Sequence, residues 1–288
     1  MANVNWIASH SGVKMPAIIY GTAWKKERTR DLIINALEAG FRGIDTAGQP
    51  KHYNEPMVGE ALKAMNQRGL NRESLYLQTK YTPLSSQDPE NLPYNPLSSI
   101  AEQVTVSFNN SLKNLQTSYV DGFILHSPLQ THEQSMQAWS TMEDICKAGQ
   151  ARQLGISNCY NFSEMKAIYR DAVIKPAIVQ NRFYRDTDYE KELRHWCIEH
   201  NIIFQSFWSL TANKELLESE KIKALVELYG KTSAQIFFRF LTQMNIVPLT
   251  GTSSDLHMRE DLEIFGFCLT DKDVERIKLL LDQKPGPV

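Results

Sequence analysis

The chain has 288 residues, 42% of them hydrophobic and 22% charged, with a formal net charge of −2. That composition suits a globular protein with a full core, and the near-neutral charge gives no electrostatic reason to bind nucleic acid or an anionic membrane. No apolar run reaches the ~20 residues of a membrane span, and Met1 to Trp6 lacks the basic-then-apolar pattern of a secretory leader, so a cytoplasmic protein, monomeric or weakly oligomeric, is expected.

Taken in order, Trp6-Ile7-Ala8 and Lys14-Met15-Pro16 flank the turn signal Ser11-Gly12, which predicts a hairpin able to plug one end of a barrel. Ile18 to Thr22 predicts the first buried strand. Asp31 to Ala39 is amphipathic and stops at Gly40, a residue that readily takes the left-handed turn ending a helix. A strand then ends at Asp45. The helix from Glu55 carries Val58, Ala61, Leu62 and Met65 on one face. Leu75-Tyr76-Leu77-Gln78 is the next strand, with Lys80 at its end. Tyr81 to Leu97 is rich in Pro, Ser and Asn, and a loop of that length in a compact domain is usually functional. Ile100 to Leu115 is a helix with Val104, Phe108, Leu112 and Leu115 at helical spacing. The following strand ends at His126.

The alternation continues: helix Glu133 to Cys146, strand Ala151 to Asn158, helix Ser163 to Ala172, strand Ala177 to Gln180, helix Tyr189 to Glu199 and strand Asn201 to Phe207. Lys214 to Tyr229 predicts helix in two pieces and Ala234 to Met244 another. Ile246 to Thr250 is the last strand. Ser254 to Phe265 and Asp271 to Asp282 are terminal helices. Eight strand-helix units without a Pro/Gly/Ser-rich linker predict one α/β domain over 1–288: a (β/α)8 barrel with an N-terminal hairpin and extra C-terminal helices. A doubly wound open sheet is the runner-up, and it should carry a Gly-rich phosphate loop after an early strand. The chain has none.

In a barrel, function gathers at the C-terminal ends of the strands. The polar residues there are Thr22, Asp45, Lys80, His126, Ser157, Asn158, Gln180 and Thr250. A buried carboxylate at a strand end is costly unless paired, and Lys80 is its natural partner. Asp45, Tyr53, Lys80 and His126 then form a proton-handling set. A reaction that builds negative charge on oxygen needs a proton donor and electrostatic help. Tyr53 could give the proton, Lys80 lower its pKa, Asp45 compensate Lys80, and His126 orient that oxygen. As structural alternatives, Asp45–Lys80 is a simple ion pair and His126 a satisfied core histidine. The four cysteines, Cys146, Cys159, Cys197 and Cys268, show no metal-type spacing, so no metal is expected and Cys159 reads as a bystander.

This set, in this order, resembles the aldo-keto reductases, whose tetrad is Asp, Tyr, Lys and His. The resemblance runs from Gly12-Val13-Lys14-Met15-Pro16 to Glu260-Asp261. It implies an NAD(P)H-dependent oxidoreductase acting on a small carbonyl compound, with NADPH preferred and NADH as the second option. It also implies a nicotinamide site at Thr22, Asp45, Ser157, Asn158 and Gln180, stacking by Phe207, and further contacts from Trp208 and Leu210. The loop after Asp45 is longer than the family's Asp-x-x-x-x-Tyr-x-Asn-Glu, leaving both Tyr53 and His52 open as the acid. The family's Pro-Lys-Ser, then Arg, then Glu-Asn, is replaced by Pro248-Leu249-Thr250-Gly251-Thr252-Ser253-Ser254, His257, Arg259, Glu260 and Asp261. The adenosine end is therefore assigned to Thr250, Gly251, Thr252, Ser253, Arg259, Glu260 and Asp261, with a weaker grip on the 2′-phosphate. Trp24, Tyr53, Tyr94 and Trp208 suggest an aromatic substrate pocket, Trp24 and Trp208 foremost. The tail Gln283 to Val288 is short, leaving pocket closure to the Tyr81–Leu97 loop. Two other classes stay open: a catalytically weak, nicotinamide-binding regulatory subunit like the potassium-channel β subunits, and a barrel hydrolase or isomerase using Asp45 and His126.

Overall fold

The computed structural model describes residues 5–282; the start at Met1–Val4 and the tail Gln283–Val288 lie outside them. Trp6–Ala8 (β1) and Lys14–Pro16 (β2) form the antiparallel hairpin, Trp6 opposite Pro16. Ile19–Gly21 (β3), Gly43–Asp45 (β4), Tyr76–Tyr81 (β5), Gly122–Leu125 (β6), Leu154–Ser157 (β7), Ile178–Arg182 (β8), Ile203–Phe207 (β9) and Ile246–Thr250 (β10) are parallel. They close into a barrel because β10 pairs with β3 as well as β9. Around it run Thr29–Ala39, Glu55–Gln67, Ile100–Leu115, His132–Lys147, Phe162–Asp171, Lys191–Glu199, Lys214–Leu217, Glu220–Tyr229, Ser233–Gln243, Asp255–Leu262 and Asp271–Leu281 (α1 to α11). This is the (β/α)8 barrel, not an open sheet. Among the described residues no helix is long and apolar enough to cross a membrane.

Local chemistry explains the helix starts. Asn54, Ser99, Thr131, Ser219 and Thr270 each accept a backbone N–H two or three places into the following helix, which satisfies a donor that the helix cannot. Several boundaries shift by one to three residues from expectation, and two of them have a visible cause. Helix was expected from Tyr189, but Asp188, Tyr189 and Glu190 have φ near +50°, so α6 waits until Lys191. Strand β8 was expected to end at Gln180 yet runs to Arg182, because Asn181 is paired: it accepts from Cys159 N at 3.1 Å and donates to Cys159 O at 2.9 Å.

Strand side chains alternate between the barrel axis and the helices. The outward set packs under the helices in the main core with Leu77, Tyr81, Leu125, Ile156 and Val179. The inward set is layered. Its lowest layer holds Ile19, Tyr76, Ile124, Ile178, Ile203 and Val247, closed from below by Met15 of the hairpin. Two residues higher sit Gln78, Gln180 and Gln205, all buried. Two residues higher again come Lys80, Arg182 and Phe207, at the rim where loops meet.

Candidate active site

At the centre of the barrel Lys80 and Asp45 are paired and almost wholly buried. The ammonium donates to Asp45 Oδ1 at 2.6 Å, Asp45 Oδ2 at 2.7 Å and the Thr46 carbonyl at 2.8 Å. Those are all three of its hydrogens. Gln78 and Gln180 also donate to Asp45 Oδ1, at 2.6 and 3.0 Å. Gln205 bonds both glutamines, its Oε1 accepting from each at 2.8 Å. The carboxylate is thus held from above by an ammonium and from below by a ring of amides.

Tyr53 lies over this pair. Its ring centroid is 5.1 Å from Lys80 Nζ, and its ring meets that of His126 edge-on at 6.0 Å. Burial raises the phenol's pKa well above the usual value, and the Asp45 carboxylate raises it further. The expected lowering by Lys80 is therefore not what the structure holds: the ammonium is neutralised by Asp45 and has no hydrogen left for the phenol. Tyr53 stays protonated at any neutral pH. His126 is neutral as well, its pKa held well below the ordinary value by burial and then by Lys80. Its Nδ1 sits 2.6 Å from the Thr82 hydroxyl. His52 lines the same cavity; its ring is tilted against Trp24 with centroids 3.9 Å apart, and its Nδ1 bonds Gln49 Oε1 at 2.9 Å.

Asp45, His52, Tyr53, His126 and Gln180 line a cavity of about 990 Å³, at the upper end for small-molecule sites; Lys80 lies behind them and does not line it. Ser157, Asn158, Gln180, Phe207, Trp208 and Leu210 line it toward β10, and Thr250, Gly251, Thr252, Glu260 and Asp261 line its far end. Trp24 and Trp208, 56% and 48% exposed, form its open walls. Both have positive φ, as does Asn158; backbone strain of this kind collects at functional sites.

Some expected residues lie elsewhere. Thr22 is sealed below the cavity, donating to the Asp45 carbonyl at 2.9 Å. Ser253 and Arg259 do not line it, and Tyr94 is buried against Tyr81, donating to the Thr82 carbonyl at 2.7 Å. Cys159 is buried, which pushes its thiol far up and leaves it unreactive.

Other residues escaped the sequence reading. Lys25 reaches from the β3–α1 loop to the Gly251 carbonyl and lines the far end. Gln78 and Gln205 hold the Asp45 network. Thr82 fixes His126. Glu55, buried, accepts from Thr79 at 2.6 Å and Ser111 at 2.8 Å. Arg182 lines the cavity beside Trp208. The available signal was the inward period of two: Gln78 precedes Lys80 by two places, and Arg182 follows Gln180 by two.

Residues 17–282 match the model of the Aldo/keto reductase family. The chain is an aldo-keto reductase. It is 30% identical over 293 residues to methylglyoxal reductase DkgA of Escherichia coli (strain K12), covering 100% of this chain and 98% of that one. It is 28% identical over 302 residues to an NADPH-dependent alpha-keto amide reductase of Saccharomyces cerevisiae (strain ATCC 204508 / S288c), covering 96% and 91%. An aldo/keto reductase from Brucella melitensis, known as a crystal structure, superposes with a TM-score of 0.81 at 25% identity, over 97% of this chain and 100% of that one.

Proposed function

We propose that this aldo-keto reductase reduces an aldehyde or ketone to the alcohol with NADPH, Tyr53 giving the proton. The observation that carries the reading is a protonated phenol lying over a buried, neutralised Asp45–Lys80 pair and beside a neutral histidine. The cofactor supplies the hydride that reaches the carbonyl carbon. As charge grows on the carbonyl oxygen, Tyr53 Oη–H passes its proton there, since an alkoxide is a stronger base than even a raised phenolate. Lys80 then faces the phenolate through the field alone, while Asp45 keeps the ammonium in place. His126 orients the carbonyl oxygen: in the tautomer whose Nδ1 accepts from the Thr82 hydroxyl, Nε2 carries the proton and can donate.

The residues present fit a nicotinamide dinucleotide. Both amide hydrogens of Gln180 are used on Asp45 and Gln205, so its free oxygen is an acceptor suited to a carboxamide NH2. Asn158 and Ser157 stand beside it, Phe207 offers a ring face, and Lys25 offers positive charge near Gly251. The NADPH-dependent yeast relative supports the same cofactor.

The test is NADPH oxidation followed at its absorbance band with a panel of small aldehydes and ketones. Turnover that is lost in Tyr53→Phe supports the reading. NADPH binding without turnover of any carbonyl would instead favour a regulatory nicotinamide-binding subunit.

A further inference from the structure

We infer that Arg182 is a substrate-specificity residue, and that the carbonyl compound this enzyme prefers carries an anionic group, most simply a carboxylate. The inference rests on the carbonyl-reductase reading above and adds the substrate class.

Arg182 ends β8, two residues after Gln180. Side chains two apart share a strand face, and Gln180 points at Asp45. Arg182 therefore faces the same interior, about 6.6 Å higher along the strand. Its register partner on β9 is Phe207, so it stands at the hydride end of the cavity, away from Thr250 and Asp261. Its guanidinium lies 4.2 Å from the Trp208 ring centroid and 5.1 Å from that of Tyr184. Two aromatic rings hold the guanidinium by cation–π attraction, which uses none of its hydrogens.

What the fork lacks is an acceptor. Among the described residues, its guanidinium forms no ion pair and no side-chain hydrogen bond, and its Nε is buried with no partner; only its backbone N–H is bonded, to the Tyr160 hydroxyl. Two other buried or half-buried cationic sites show the usual arrangement. Lys80 has Asp45, and Arg72 and Arg152 share Asp121. The charges at the far end of the cavity, Lys25, Glu260 and Asp261, belong to another wall. Among the described residues lining the substrate end, Arg182 is the one full charge without an ionic partner, and an unbonded buried N–H is costly until something accepts from it. A planar guanidinium fork matches a carboxylate bidentately.

The decisive comparison is kcat/KM with saturating NADPH for butanal and for 4-oxobutanoate, the same chain ending in a carboxylate. The wild-type enzyme should prefer 4-oxobutanoate by about 10- to 100-fold, the size of a charge-assisted bond. In Arg182→Gln the ratio should fall toward unity, chiefly through KM of the acid, and Arg182→Lys should restore part of it. No preference in the wild type, or a preference that survives Arg182→Gln, overturns the proposal. So does a rise in the NADPH dissociation constant of Arg182→Gln that accounts for the whole effect, since the anion held would then be the cofactor's. A second measurement needs no turnover: tryptophan fluorescence of the NADPH complex titrated with butanoate and with butanamide. Butanoate should bind at least tenfold tighter, and only with Arg182 present; equal binding overturns the proposal. If neither carbonyl is reduced, the reductase reading fails while this titration still decides the anion site.

Discussion

Replacing Lys80 by methionine separates what the buried pair does for folding from what it does for chemistry. Lys80→Met leaves the Asp45 carboxylate charged and buried, with its Oδ2 unbonded but its Oδ1 still held by Gln78 and Gln180. Stranding one partner of a buried pair costs about 3–5 kcal/mol; the two remaining amides put this case near 3. Asp45→Leu is worse, because it strands the ammonium with only the Thr46 carbonyl and also orphans two amide hydrogens, at about 1–3 kcal/mol each. Its cost should exceed about 5 kcal/mol. The double variant removes both charges and keeps only the orphaned amides, so it should be more stable than Asp45→Leu alone. Urea unfolding at pH 7, read by tryptophan fluorescence, gives all three values from the midpoints. NADPH oxidation should be lost in all three. If Lys80→Met costs under about 1 kcal/mol, or the double variant equals the sum of the singles, the charge-pair account of this centre is wrong.

Tyr53→Phe should keep NADPH affinity and lose roughly 100- to 10,000-fold in kcat, the usual share of a general acid; near-normal turnover there, with His52→Ala inactive, would move the role to His52. Lys25→Met should weaken NADPH binding by about 10- to 100-fold, an ionic hydrogen bond's worth, and flatten its salt dependence; a dissociation constant within twofold of wild type would remove Lys25 from the site. Asp261 is buried and its carboxyl is raised to about 6. A carboxyl whose folded pKa is raised stabilises fully below its unfolded value near 4 and loses that contribution as pH climbs through 6. Asp261→Asn should therefore be more stable than wild type at pH 8, by up to about 3 kcal/mol, and equal to it near pH 4; a gain that is the same at both pH values would contradict this.

The alternation of apolar strands and amphipathic helices was enough to read the barrel, because a parallel barrel strand buries both faces and shows as an uninterrupted apolar run. The same habit hid its interior. Gln78 and Gln205 sit inside such runs and look like tolerated exceptions; only closure of the barrel brings them together over 127 residues of sequence. Lys25 and Gly251 are 226 residues apart, so the loss of the family's lysine after Pro248 was legible and the cation standing near it was not. Tyr53, Lys80 and His126 were legible as a group because each closes or follows a strand, but the direction of the Tyr53 shift was not. That depends on Lys80 having spent its hydrogens on Asp45 and Thr46, which no spacing reveals.

The amides under Asp45 continue downward. Gln78 Oε1 takes the Tyr76 hydroxyl at 3.1 Å, Tyr76 takes Gln153 Nε2 at 3.1 Å, and Gln153 Oε1 takes the Ser11 hydroxyl of the hairpin at 2.7 Å. Such a file has a polarity. The carboxylate at its top admits only N–H groups, so each amide below is compelled to face one way, down to the plug. A primary amide is nearly the same shape either way round, and its orientation is ordinarily a free choice of the local network. Here a single anion makes that choice for the whole axis of the barrel. Neutralising Asp45 would return the choice to every glutamine at once, and a core with one arrangement would become a core with several of nearly equal energy.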